Sequence, residues 1–264
     1  MLLALDIGNT SMTLGVWDED CLLFNDRLAA DPRRTSLDYA VSLREVLSLY
    51  GCGTGPYEGA IIASVVPGLT EAMAEAVEKV LGLRPLVVGP GVRNGLRIAI
   101  DDPKQLGADM VVGAVGACAA HEGPMVVINM RTATTLSVID EKGVFLGAVI
   151  MPGMTTAFRA LSSYTAALPH ITPENPGHVI GTNTVHAMQS GAVFGLAAQL
   201  DGLVDRIEAE LGRPLKTVAA TGYPADRVIP CCRRDILIDN DLMMKGLREI
   251  YRLNQKRRMK RPSV

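Results

Sequence analysis

LLALDIGNTSMT, residues 2–13, is the stretch on which the rest of the chain turns. Leu2 to Leu5 form an apolar run that suits a buried strand. The run ends in Asp6, and Gly8, Asn9, Thr10 and Ser11 follow before Met12 to Val16 resumes a strand-like pattern. Gly8 permits positive φ and lets backbone approach a ligand closely. Asn9, Thr10 and Ser11 put side-chain donors beside the backbone N–H groups of a tight turn. Such a turn cradles a phosphate, and Asp6 beneath it holds a metal ion or its waters. Taken alone, the pattern describes an ordinary hairpin turn equally well.

A second copy tips the reading. Met125 to Ile128 is another apolar run, followed by Asn129, Met130, Arg131, Thr132, Ala133, Thr134 and Thr135, and a strand begins at Leu136. Each copy leads into an acidic turn and a third strand: Asp18-Glu19-Asp20 before Cys21 to Phe24, and Asp140-Glu141-Lys142-Gly143 before Val144 to Val149. Both halves therefore begin strand, polar turn, strand, acidic turn, strand, and internal repetition of this kind predicts a duplicated domain. Two phosphate loops on duplicated domains resemble the sugar kinase, Hsp70 and actin architecture. That resemblance implies an α/β fold of two ribonuclease-H-like domains, residues 1–120 and 121–254, with ATP in a cleft between them and a basic tail at 255–264.

Composition agrees with two domains. The chain has 264 residues, 48% of them hydrophobic and 20% charged, enough to bury two cores and unlike a disordered chain. A net charge of −2 gives no global footprint for nucleic acid or membrane. Cys21, Cys52, Cys118, Cys231 and Cys232 are odd in number and contain no C-x-x-C pair, so reduced thiols in a cytoplasmic protein are expected, with no zinc site. The apolar N-terminal stretch meets Asp6 almost at once, which is unlike a signal peptide. No apolar run reaches membrane-spanning length.

Along the chain, apolar spacing predicts three strands within 2–28, a helix over 35–50 capped by Thr35 or Ser36, a strand at 59–66, a helix over 69–81 and a short strand at 85–88. Residues 89–106 read as irregular. Gly107-Ala108-Asp109 then opens a helix of apolar and small residues over 111–120, where a carboxylate at the N-terminus is favoured by the helix dipole or acts as an N-cap. In the second half, helices are expected over 154–167 and from Thr182 or Asn183 to Leu211. Strands follow at 217–221 and 236–238, and a last helix at 241–253. Gly191 and Gly195 either admit a close helix neighbour or simply pack as small residues. The basic run 255–262 reads as a solvated end or a polyanion contact. His121, His170, His178 and His186 show no metal-ligand spacing.

Taken together, DIGNT, the Gly-Ala-Asp at 107–109, TATT at 132–135, Pro152-Gly153, NT-x-x-AMQSG at 183–191, Thr221-Gly222 and DNDLMMKGLREIYRLN resemble the type III pantothenate kinase family over essentially the whole chain. The resemblance implies a homodimer that phosphorylates pantothenate to 4'-phosphopantothenate with ATP and Mg²⁺, the first step of coenzyme A biosynthesis, and needs K⁺ or NH₄⁺. By the same resemblance Asp6, Ile7, Gly8, Asn9, Thr10, Ser11, Met12 and Thr13 form the ATP phosphate loop, with Asp6 holding Mg²⁺ through water. Thr132 contacts phosphate and Asp109 is the catalytic base. Ile100, Gly107, Ala108, Asp109, Met110 and Thr184 line the pantothenate side.

The chain departs from the family pattern at several of these positions. Met110 stands where the family has Arg, Ile100 where it has an aromatic, Thr182 in place of Lys and Tyr223 in place of a second Gly. The loss of Arg removes charge-assisted bonds to the acceptor, so weak pantothenate binding is expected. Asn129 replaces the Asp that holds the monovalent cation, and Arg131 replaces a Gly. The guanidinium of Arg131 either substitutes for the missing cation or blocks the phosphate space. These departures leave a second reading open: a diverged paralogue that binds nucleotide and acts as a binding or regulatory protein.

Overall fold

All six residues of β1 (Leu2–Ile7) are buried, as expected of a strand covered on both faces. β1 pairs antiparallel with β2 (Ser11–Asp18), which pairs with β3 (Cys21–Ala29). On its other side β1 runs parallel to β4 (Gly59–Ser64), and β4 to β5 (Leu86–Val87), giving the order β3-β2-β1-β4-β5. Alternation along β1 sends Leu3, Leu5 and Ile7 to a core beneath α1 (Ser36–Leu49) and α2 (Pro67–Leu81), and Leu2 and Ala4 to a core beneath α3 (Ala108–Ala120).

The computed structural model describes residues 1–258. Their contacts separate into two units: Met1–Leu96 with Asp102–Ala120 and the chain from Asp241 on, and Arg97–Asp101 with His121–Asn240. In the second unit β7 (Met125–Met130) pairs antiparallel with β8 (Ala133–Ile139), which pairs with β9 (Val144–Pro152). β7 also runs parallel to β10 (Thr217–Thr221), and β10 to β11 (Leu237–Ile238). The pairing repeats that of the first sheet strand for strand, so both units are ribonuclease-H-like and the duplication read from the sequence holds. One strand has no counterpart in the first sheet: β6 (Arg97–Ile98), from the stretch read as irregular, adds to the edge at β9. α4 (Met154–Tyr164) and α5 (Thr184–Leu211) cover Val126, Ile128 and Met130 of β7.

The caps explain the helix boundaries. Thr35 makes a capping box with Asp38, and Asn183, not Thr182, caps α5 by accepting from His186 N at 2.9 Å. Pro67 and Gly68, outside the helix expected over 69–81, form the first turn of α2, where proline's fixed φ suits the helix and its missing N–H leaves nothing unpaired. The five cysteines are free thiols. Among the described residues no helix is long and apolar enough to cross a membrane.

The last helix, α7 (Leu242–Arg258), corrects the domain reading. The second domain does not run to residue 254. α7 buries Met243, Met244, Leu247, Ile250 and Tyr251 in the first unit's core, against Val112 and Val115 of α3. The contact is made by two glycines. A Cβ on Gly116 would lie 2.1 Å from the carbonyl oxygen of Leu242, and one on Gly246 would lie 2.0 Å from that of Val112. Arg248 of α7 stacks over Trp17, 4.1 Å from the ring centroid. Residues 255–258 of the basic run continue α7, and the remainder lies outside the described residues.

Candidate active site

Asp6 is the only charge in β1 and is 1% exposed. Alternation places it on the face of Leu2 and Ala4, which is the face α3 covers. Register sets it between Thr13 of β2 and Ala63 of β4. The turn above it is closed by Gly8 N donating to Ser11 O at 3.0 Å, and Thr10 O accepts from Ala30 N at 3.2 Å. Asn9 and Thr10 are exposed at its tip. Ile7 and Met12 send their side chains into the core under α1 and α2. Of these two, only the backbone is left to serve a ligand.

Asp109 lies in the first turn of α3 and accepts from Met110 N at 2.9 Å. Val65 lies next to both the end of β1 and Gly107. Val65 N donates to Ile7 O at 3.1 Å, and a Cβ on Gly107 would lie 3.9 Å from Val65 Cγ1 and 2.6 Å from Asp109 Oδ1. Glycine at 107 therefore leaves room for the carboxylate where it stands. Met110, the next residue of α3, is buried and carries no polar group for an acceptor. Ile100 belongs to the second unit, where the neighbouring Ala99 N donates to Phe145 O at 2.8 Å beyond the end of β6.

In the second unit Asn129 repeats the place of Asp6. It sits between Thr135 of β8 and Thr221 of β10, on the face opposite α4 and α5. It is 6% exposed, and its Oδ1 has no hydrogen-bond donor. The turn here is one residue shorter than in the first unit, with Arg131 N donating to Ala133 O at 3.0 Å. Two glycines clamp its backbone. A Cβ on Gly153 would lie 1.9 Å from Arg131 O, and one on Gly222, at φ +105°, would lie 2.2 Å from Met130 O. Thr132 O accepts from Gly153 N at 3.0 Å and from Thr156 Oγ1 at 2.6 Å. Both glycines stand in motifs of the family resemblance, Pro152-Gly153 and Thr221-Gly222, but the sequence carries no signal for the closeness of either approach.

Thr184 opens α5 and is exposed. It is the one hydroxyl lining a cavity of about 560 Å³ between α4 and α5, whose other walls include Phe158, Leu161, Leu168 and Met188. The structure thus gathers the Asp6–Thr13 turn, Gly107 and Asp109 at one end of the first unit. It sets Asn129, Arg131, Thr132 and Thr184 in the second.

Comparison with known proteins shows the family. A family model described as type III pantothenate kinase matches residues 2–206. The chain is 38% identical to a type III pantothenate kinase of an Exiguobacterium species over 97% of its length and all of the relative. It is 41% identical to one from Phenylobacterium zucineum over 97% of its length and 99% of the relative. Among solved structures it resembles the activator of the 2-hydroxyisocaproyl-CoA dehydratase from Clostridium difficile with bound ADPNP, at a TM-score of 0.59, 12% identity and coverage of 100% and 98% of the two chains. With the family model matching residues 2–206 and relatives this similar over nearly the full length, the chain belongs to the type III pantothenate kinase family.

Proposed function

We propose that the protein phosphorylates pantothenate with ATP, giving 4'-phosphopantothenate for coenzyme A biosynthesis. The observation that carries the mechanism is that Val65 lies next to both the end of β1, where the Asp6–Thr13 turn begins, and Gly107 beside Asp109. Phosphoryl transfer is mostly positioning and charge neutralisation. The turn's N–H groups and the Asn9, Thr10 and Ser11 side chains hold phosphate oxygens, with Thr132 as a further contact. Asp109 orients the acceptor hydroxyl and takes its proton as the new O–P bond forms and ADP leaves. Thr184 contacts the acceptor. Asp6, a buried carboxylate directly beneath the turn, fits Mg²⁺ bound through water. When bound, the ion neutralises charge on the transferred phosphate. Exposed Tyr164 in an apolar groove along α4, together with exposed Val179 and Ile180, supports a homodimer. Free thiols support a cytoplasmic setting. Because a ligand bound only by the native state stabilises it by about 2.7 kcal/mol at a hundredfold excess over Kd, millimolar MgATP raises the melting temperature measurably. Absence of both a shift and calorimetric heat would remove the nucleotide from this reading.

The monovalent cation does not fit. At position 129 the side chain is a neutral amide, its sheet neighbours Thr135 and Thr221 are neutral, and Arg131 two residues on is permanently positive. Position 129 itself therefore supplies no negative charge to balance K⁺ or NH₄⁺. Turnover is therefore expected to be the same in K⁺, NH₄⁺ and Tris-only buffers, and the double variant Asn129→Asp, Arg131→Gly is expected to acquire the requirement. Wild-type activity that depends on K⁺ would contradict this. An inert wild type revived by the double change favours the second reading, a nucleotide-binding protein whose turnover Arg131 blocks.

A further inference from the structure

Between α4 and α5 the chain runs for nineteen residues, 165–183, without helix or strand. An irregular segment this long is unusual in a packed domain and is most often functional. Its carbonyls have no ladder to satisfy them, so side chains must do so. The holding points are specific. Gln189 Nε2 donates to Thr172 O at 3.2 Å, Ser190 Oγ donates to Val179 O, and Arg227 Nη1 donates to Pro173 O at 2.6 Å. Leu168 and Ile171 pack on the core below. Close to the junction, a Cβ on Gly181 would lie 2.3 Å from Ala187 N. The segment is thus drawn tightly over the start of α5.

Gln189 and Ser190 are both buried, on the face of a helix that otherwise packs Met188, Val193 and Leu196 into an apolar core. Burying a polar side chain there is unfavourable unless its hydrogen bonds are made. The bonds both make go to the backbone of the strap. The strap itself ends at Asn183 and Thr184, and its Leu168 walls the cavity that Thr184 lines.

We infer that Gln189 and Ser190 are positioning residues: by latching the 168–183 strap at Thr172 and Val179 they fix Thr184 and the mouth of the α4–α5 cavity for the acceptor. This rests on the reading of Thr184 as an acceptor contact. The test uses Ser190→Ala, Gln189→Met, which keeps volume but removes the donor, and Ser190→Thr, which keeps the hydroxyl. Loss of one net hydrogen bond corresponds to a factor of about 5–10. Ser190→Ala and Gln189→Met are expected to speed amide hydrogen exchange by about that factor at the strap's bonded Gly177 N–H and at His186 and Ala187, whose N–H groups are held by Asn183 at the strap's end, leaving the C-terminal half of α5 and the first unit unchanged. They are expected to raise KM for pantothenate by a similar factor with KM for ATP and kcat nearly constant, and Ser190→Thr restores both readouts. Unchanged exchange in the strap, acceleration spread through the whole second unit, or a KM for pantothenate that does not move would each overturn the inference. A wild type that does not phosphorylate pantothenate overturns the functional reading instead, and the exchange result alone then decides whether the two side chains hold the strap.

Discussion

Asp109→Asn lowers kcat by about 10²–10⁴, the usual contribution of a positioned general base. The substitution keeps size and the hydrogen bond from Met110 N but removes the basic oxygen. MgATP should still raise the melting temperature of the variant, because the Asp6–Thr13 turn does not depend on that carboxylate for its own closure. Gly107→Ala gives an independent check on geometry. Its Cβ would stand 2.6 Å from Asp109 Oδ1, so the carboxylate must swing away while retaining its chemistry. Such a variant is expected to lose kcat with no change in the pH profile of what remains. An Asp109→Asn enzyme with wild-type kcat would take Asp109 out of the mechanism.

Gly246→Ala and Gly116→Ala destabilise the protein, whereas Gly195→Ala in α5 does not. In a helix interior alanine is favoured over glycine by about 0.8–1.0 kcal/mol. At Gly195 a Cβ meets nothing within 4 Å, so that gain is the expected result. At Gly246 and Gly116 the Cβ would sit about 2 Å from a carbonyl oxygen of the facing helix, and backbone cannot step aside as a side chain can. Overpacking of this kind costs about 3 kcal/mol or more, which outweighs the propensity gain and leaves a net loss of about 2 kcal/mol or more. For a chain of this size that corresponds to roughly 4–8 °C in Tm. Trp17, the single tryptophan, lies under Arg248 of α7, so its emission reports α7 leaving α3. Thermal unfolding followed by that emission checks the prediction, and equal Tm values for the Gly246 and Gly195 variants would refute it.

The contrast between these glycines also shows what was legible in the sequence. Asp6 with its polar turn, and its second copy at Asn129, could be read directly, because a buried strand ending in a polar turn leaves a local pattern. Pairing order followed from that repetition. Gly191 and Gly195 carried the four-residue spacing of a helix contact, yet a Cβ on either meets nothing within 4 Å. The true crossing is made by Gly116, one of two glycines in α3, and Gly246, the single glycine of α7; the two lie far apart in the chain, so no local period announces their pairing. The replacement at Met110 is legible in the sequence, whereas its burial depends on the orientation of α3's first turns and is not. Gln189 and Ser190 were visible as part of a motif, while their partners lie in a proline-rich segment whose path has no periodicity to predict it.

The return of α7 to the first unit has a consequence for how the protein is made. The second unit, Arg97–Asp101 with His121–Asn240, has all its residues once Asn240 is made, but the first lacks one wall of its core until α7 has emerged. At ordinary rates of synthesis, α3 waits on the order of ten seconds for its partner helix. During that interval the small-residue face of α3, with Val112, Val115 and Gly116, stands open to the ribosome surface and to chaperones. The later-made half of the polypeptide is therefore the first able to reach its final form, and the nucleotide-loop half, though begun earlier, is finished last.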